Sequence, residues 1–290
     1  MIEFKNVSKN FGNFNAVSNL SFKLNKGEIL SLIGQNGAGK STTFHMLLDF
    51  IKPTKGQIIW NKNLKRTIGY MPEERGLYPK ESIKNQILYF AALHGMHKSK
   101  AYVELKKWMN KLNVVGKPND HIESLSKGNA QKVQLIACLM FSPELLILDE
   151  PFSGLDPVNA DLLIKAILEA KNNGTMIIFS THNMENVEKL SDYIIMLSHG
   201  KTVLKGDIHS IYKQFGRTRL SIEGYKNIKL LEDFPGIKNI DFYKDDCANM
   251  ELENENVGKT LFNKISEDGY VPVFDQHYPS LDSIFKLKAK

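Results

Sequence analysis

Gly34-Gln35-Asn36-Gly37-Ala38-Gly39-Lys40-Ser41 has the spacing GxxxxGK[ST], and it lies between an apolar run and a helical pattern, the flanks that a phosphate-gripping loop requires. Its glycines let successive backbone N–H groups wrap phosphate oxygens, and the helix start behind them adds a favourable dipole. Lys40 is spaced to reach the β and γ phosphates, Ser41 to ligate Mg2+ and Thr42 to hold the α phosphate. A metal-bound phosphate also needs an acid, and Leu145-Leu146-Ile147-Leu148-Asp149-Glu150 ends an apolar strand with two. Asp149 can hold the metal through water, and Glu150 can accept a proton from an attacking water molecule. The chemistry these residues predict is phosphoryl transfer.

Other chemistries find less support. The two cysteines, Cys138 and Cys247, stand far apart without histidines at metal-ligand spacing, so they read as buried free thiols rather than a zinc site or a disulfide. The acids Asp245, Asp246, Glu251, Glu253 and Glu255 fall in a strand-and-turn pattern, which favours solvated charge over a cation site built from convergent oxygens. Lys98, Lys100, Lys106 and Lys107 surround Tyr102, Val103, Leu105 and Trp108 as the wet side of an amphipathic helix would. A net charge of +6 over 290 residues suits an anionic partner, yet it is also that of many enzymes.

The elements that must position the loop and the acids are legible from periodicity. Ile2 to Val7 alternates, and Phe22 to Leu24 leads through the hairpin punctuation Asn25-Lys26-Gly27 into Ile29 to Ile33, apolar on both faces like a central strand. A helix over Thr43 to Phe50 follows, stopped by Pro53, then short strands at Gln57 to Trp60 and Thr67 to Tyr70. Ile83 to Leu112 reads as a helical insertion, with one stripe at Ile83, Ile87, Leu88, Phe90 and Ala91 and a mixed one at Val103, Lys106-Lys107 and Met109-Asn110. Strands return at Leu145 to Leu148, Met176 to Phe179 and Tyr193 to Leu197, separated by helices, the alternation of a mostly parallel α/β sheet. After Phe215 the order becomes β-α-β-β-α-β, which predicts a small α+β ferredoxin-like domain over 216–290. No run reaches the length of a membrane span and the start lacks a secretory pattern, so the expectation is an intracellular chain unless a partner holds it at a membrane.

Along the chain stand, in order, GQNGAGKST at Gly34 to Thr42, LSKGN at Leu125 to Asn129, LLILDEP at Leu145 to Pro151, SGLD at Ser153 to Asp156 and STH at Ser180 to His182. The loop at Gly34 alone leaves GTPases and small-molecule kinases open; with the full order, residues 1 to about 215 resemble the ATP-binding subunit of ABC transporters. The resemblance implies a P-loop NTPase core over 1–215 with a helical subdomain at about 73–144, using ATP and Mg2+. It implies that Phe11 stacks on adenine with Val17 packed nearby, that Gly34 to Thr42 cradles the phosphates, and that Asp149 serves the metal and Glu150 the water. It also makes His182 a switch that contacts the γ phosphate and Asp156 a link between two active sites across a dimer. By themselves His182 would read as a capping or core histidine and Phe11 as core.

Three departures from the family pattern matter. Lys127 and Asn129 replace residues of the usual LSGGQ, and Glu73 stands where a glutamine normally senses metal and water. Ser126 keeps a hydroxyl to donate and Gly128 keeps close backbone approach, so Ser126, Lys127, Gly128 and Asn129 remain candidates to meet the nucleotide of a partner chain. Whether Lys127 joins that contact or points to water is left open by the sequence. Glu73 is a candidate metal ligand. LSKGN, the small C-terminal domain and the ending Tyr278 to Phe285 resemble the sodium-export-type branch of ABC exporters. That branch implies a homodimer, or a heterodimer with a related ATPase subunit, working on a separate polytopic membrane permease at the cytoplasmic side of the membrane, without nucleic acid. A soluble ABC ATPase acting on ribosomes or DNA is the rival, disfavoured by the single GxxxxGKS and the lack of a long coiled coil. A sensor role for the C-terminal domain is a third possibility.

Overall fold

Ile29–Ile33, Leu145–Asp149 and Met176–Ser180 are buried along their whole length, and strands hidden on both faces belong to the middle of a parallel sheet. In the computed structural model, which describes residues 1–62, 64–74 and 76–288, they form its centre. Strands of the first unit, Met1–Lys205, are β1 (Ile2–Phe11), β2 (Phe14–Leu24), β3 (Ile29–Ile33), β4 (Lys55–Trp60), β5 (Ile68–Met71), β6 (Leu145–Asp149), β7 (Met176–Ser180), β8 (Tyr193–Ser198) and β9 (Lys201–Gly206). Helices α1 (Lys40–Leu47), α2 (Ile83–Leu93), α3 (Lys98–Lys111), α4 (Lys127–Leu139), α5 (Pro157–Asn172) and α6 (Met184–Leu190) connect them. The sheet runs β4-β1-β2-β9-β8-β3-β7-β6-β5, with β3, β5, β6, β7 and β8 parallel and β1 antiparallel to both β2 and β4.

This order corrects the reading of Asn25-Lys26-Gly27. The turn is present, but β2 pairs with β1 and touches β9 while β3 pairs with β7 and β8, so it carries the chain between strands that are not neighbours. Turn chemistry at Gly27, φ 70°, reports a reversal and not what the next strand pairs with. The true hairpin closes earlier, between Phe11 and Phe14, which face one another in register.

Parallel register sets Leu32 of β3 and Asp149 of β6 both opposite Ser180 of β7. The loops that leave these strands therefore emerge together at their carboxyl ends, where open α/β sheets bind ligands. Against one face, Ile83, Ile87 and Ala91 of α2, Ala101, Leu105 and Met109 of α3 and Val133 and Ile136 of α4 pack with Leu146 and Leu148 in one core. The helical insertion read from Ile83 to Leu112 consists of two helices, separated at Gly95 with φ 74°. Val103 is exposed, so the buried stripe of α3 is Ala101-Leu105-Met109 rather than the mixed one expected, while Lys98, Lys100, Lys106 and Lys107 face solvent.

The second unit, Gly206–Lys288, holds α7 (Ile208–Phe215), β10 (Arg219–Glu223), β11 (Ile237–Lys244), β12 (Cys247–Leu252), α8 (Glu255–Glu267), β13 (Val273–His277) and α9 (Leu281–Lys288). It begins ten residues before the expected start at 216, because α7 belongs with it. The four strands run β11-β12-β10-β13, every neighbouring pair antiparallel, which is the sheet of the split βαβ arrangement. Where a first helix was expected over Ile228 to Asp233 there is one 3-10 turn, Ile228–Leu231. Its Ile228 and Leu231 still reach the core with Leu261 and Ile265 of α8.

Candidate functional site

Gly34-Gln35-Asn36-Gly37-Ala38-Gly39 leaves β3 and enters α1 through backbone that a side chain would spoil. Gly39 has φ 105°, and a Cβ there would lie 2.4 Å from the carbonyl oxygen of Ala16. Gly37, φ 81°, faces open space. No side chain caps α1 and no acid sits in its first turn, so its N–H groups and dipole stay available to an anion. Lys40 Nζ donates to the carbonyl oxygens of Gly34 and Gln35, at 2.8 and 3.1 Å, and so folds back over its own loop.

Ser41, the next residue, faces the end of β6: its Oγ lies 3.5 Å from Asp149 Oδ2. The other oxygen, Oδ1, accepts a hydrogen bond from Ser180 Oγ. Glu150 adopts φ 48°, a left-handed conformation that costs a glutamate about 1–3 kcal/mol unless its surroundings hold it. They do: its N–H donates to Ser180 Oγ at 3.1 Å and to the Ser180 carbonyl at 3.2 Å. That backbone turn separates the two acids, and Glu150 Oε2 meets His182 Nδ1 at 3.0 Å. His182 is otherwise exposed, so its partner is a carboxylate and not the core that a lone histidine would suggest.

A cavity of about 330 Å³ is lined by Gly37, Lys40, Ser41, Thr42, Asp149 and Glu150 together with Phe14, Ala16, Asn36, Gly39 and Glu73. It unites the loop, both acids and Glu73. Among the described residues no group of three or more His, Cys, Asp or Glu side chains is placed to hold a metal. Ser41 and Asp149 offer one hydroxyl and one carboxylate and leave the remaining positions to phosphate and water oxygens, which fits the way Mg2+ is bound beside phosphates. Phe11 lies at the end of β1, half exposed under Lys9 Nζ, while Phe14 opposite it lines the cavity. Val17 is fully buried beneath Gly39, and its neighbour Ala16 takes the lining position. Phe14 and Ser180 were missed because an aromatic next to a turn and a serine ending an apolar strand are common without a ligand.

Ser126, Lys127, Gly128 and Asn129 lie outside that lining, at the start of α4. Ser126 caps the helix, accepting from the Asn129 N–H at 3.3 Å and its Nδ2 at 3.0 Å, and keeps its own hydroxyl proton to donate. Asn129 Oδ1 accepts from the Val115 N–H at 2.9 Å, and Lys132 Nζ donates to the Asn113 carbonyl at 3.0 Å, so α4 grips the preceding loop at two points. Burial lowers the pKa of Lys132 below the usual lysine range. Lys127 is exposed and its side chain crosses Gly154, whose Cβ would come 2.4 Å from Nζ. Asp156 caps α5 through the Asn159 N–H at 2.9 Å, and the hydrogen bonds from Asn159 pull its pKa down. Gln131 Nε2 donates to the Pro151 carbonyl at 2.9 Å, which ties α4 to the segment after Glu150.

Comparison with known proteins gives a consistent picture. The ABC transporter family profile matches residues 17–153, and that of the C-terminal domain of DrrA1-3-like ATP-binding proteins matches 206–289. The chain is 40% identical to the ABC transporter ATP-binding protein YhaQ of Bacillus subtilis, over 98% of this chain and 97% of that one. It is 28% identical to the Nod factor export ATP-binding protein I of Rhizobium etli, over 98% of this chain and 92% of the other. A solved ATP-binding subunit of an ABC transporter superposes with a TM-score of 0.69 at 29% identity, covering 74% of this chain and 93% of that structure.

Proposed function

The chain belongs to the ATP-binding subunits of ABC transporters, and from that premise we propose that it is the ATP-hydrolysing half of an exporter, acting as a dimer on a separate membrane permease. The observation that carries this reading is one cavity in which the uncapped start of α1, Lys40, the Ser41–Asp149 pair and Glu150 converge, with His182 held outside its lining by Glu150. ATP enters with its phosphates on the N–H groups of Gly34 to Thr42, and Lys40 gives up its loop carbonyls for the β and γ phosphates. The adenine lies against the aromatic pair Phe11 and Phe14, with Val17 supporting the loop from below. Ser41 and Asp149, with Glu73 in the same lining, would hold Mg2+, which would supply neutralisation of the phosphate charge. Glu150 takes the proton of the attacking water, and His182, oriented by Glu150, contacts the γ phosphate.

Two copies complete the site. Ser126 to Asn129 lie outside the lining of their own chain's cavity, at the start of α4, so in this reading Ser126, Gly128 and Lys127 face the nucleotide of a homodimeric or related partner, with Asp156 linking the two sites. Export is favoured by a relative named for export that matches over 98% of this chain, and the sodium-export type rests on the resemblance of LSKGN, the C-terminal domain and the ending Tyr278 to Phe285. No helix among the described residues is long and apolar enough to cross a membrane, which fits a subunit held at the cytoplasmic face by its permease.

The helical subdomain supplies the grip. A groove of about 750 Å³ is bordered by Tyr78, Pro79, Glu81, Gln86 and Tyr89, with both tyrosines exposed. Gln86 is 2% exposed and among the described residues its Nε2 donor has no acceptor, which suits a docked segment that offers a carbonyl oxygen. Replacement E150Q tests the reading: ATP binding persists, a stable ATP-bound dimer accumulates on gel filtration, and turnover is lost. Normal turnover in that variant removes Glu150 as the base.

A further inference from the structure

Ser180 ends β7 and is fully buried. A hidden hydroxyl needs its donor and acceptor capacity answered, and at Ser180 both answers come from the acids at the end of β6. Its Oγ donates to Asp149 Oδ1 and accepts from the Glu150 N–H at 3.1 Å. Burial alone does not produce such a pair, since Ser31 of β3 is equally buried and its Oγ has no partner among the described residues. The register that places Asp149 opposite Ser180 makes the contact a property of the sheet.

Two consequences follow for the acids. With Oδ1 engaged, rotation of the Asp149 carboxylate is fixed and Oδ2 is left facing Ser41 Oγ at 3.5 Å. One residue on, the strained left-handed turn of Glu150 is pinned from the same side chain, and that turn directs Glu150 to His182. We propose that Ser180 is the positioning residue of the hydrolytic centre, its hydroxyl setting the Asp149 carboxylate toward Ser41 and joining it to the backbone that carries Glu150. Ser180 acts through these acids and moves no proton of its own. The inference rests on the Mg2+–ATP reading above.

Removing the hydroxyl divides the two effects. In S180A the Glu150 N–H keeps the Ser180 carbonyl at 3.2 Å, so the loss falls first on Asp149. Binding of a fluorescent N-methylanthraniloyl ATP to the full chain is measured in EDTA and against rising Mg2+, for wild type, S180A and S180T. The expected result is a rise of about 10- to 100-fold in the Mg2+ concentration for half-maximal enhancement in S180A, the size of effect usual for residues that orient a metal ligand. Binding in EDTA should stay within about twofold, and S180T, which keeps the hydroxyl, should show a smaller shift than S180A. Equal Mg2+ dependence in S180A and wild type overturns the proposal, as do equal shifts in S180A and S180T or a loss of binding already complete in EDTA. A wild-type protein that binds no nucleotide under either condition overturns the nucleotide reading itself and the inference with it.

Discussion

Replacement of Gly39 by alanine separates the two demands that the loop makes on its glycines. At φ 105° a residue with a side chain bears conformational strain of about 1–3 kcal/mol. The new Cβ would also stand 2.4 Å from the Ala16 carbonyl oxygen and 3.2 Å from Val17 Cγ2. Ordinary contact requires the loop and β2 to part by about 1 Å, and forced repacking of that kind costs about 1–3 kcal/mol. The sum, about 2–6 kcal/mol, is a large share of the 5–15 kcal/mol or so by which a folded domain is stable. G37A is the matched control: its φ is 81° but nothing lies within 4 Å, so only the conformational part applies. Both tryptophans, Trp60 and Trp108, lie in the first unit, so urea unfolding followed by their fluorescence reports on the unit that carries the loop. G39A should unfold about 1–3 kcal/mol more easily than G37A, by the contact cost alone. A displacement of about 1 Å also takes a phosphate-binding N–H out of hydrogen-bond range, and a lost bond to a charged group is worth about 1.5–3 kcal/mol, or at least tenfold in affinity. Equal unfolding midpoints for the two variants, together with unchanged ATP affinity in G39A, would refute the claim that close approach of β2 shapes this loop.

The aromatic pair gives a direct comparison: F14A should weaken nucleotide binding by about 0.5–1.5 kcal/mol if its ring stacks on the base, and parallel measurement of F11A shows which ring carries the contact. No loss in either variant removes the hairpin end from the site. Burial raises the Cys138 thiol to about 12, so the thiolate is absent at pH 8 and iodoacetamide should label this residue only after denaturation. Rapid labelling of Cys138 in the folded chain, read by peptide mass mapping, would contradict its burial against Tyr70.

Much of the site is legible in the sequence because phosphate chemistry uses contiguous residues. The loop at Gly34 and the pair Asp149-Glu150 each sit at the end of an apolar strand, and periodicity finds such strands. What periodicity does not report is which strands pair. Asn25-Lys26-Gly27 reads as a hairpin because its residues favour reversal, while the partners of β2 and β3 are fixed by packing far along the chain. In the sequence Ser180 stands out only as a neighbour of His182, since its partner Asp149 lies 31 positions away in sequence and adjacent in the sheet. In the C-terminal unit the succession of strands along the chain is readable from alternation, but no local signal reduces the first helix to a 3-10 turn, because Ile228 and Leu231 are spaced to serve either form.

The side chain of Lys127, lying across Gly154, ties together the histories of two positions that are distant in sequence. Any side chain at 154 bears the strain of its φ of 70°, and beside Lys127 it must in addition displace the exposed end of the lysine. Changes at Lys127 and Gly154 should therefore be non-additive: a substitution at 154 is better tolerated after K127G than before it. For anyone grafting the usual glycine-rich signature into this chain, the loop at Ser153 to Asp156 is part of the same graft.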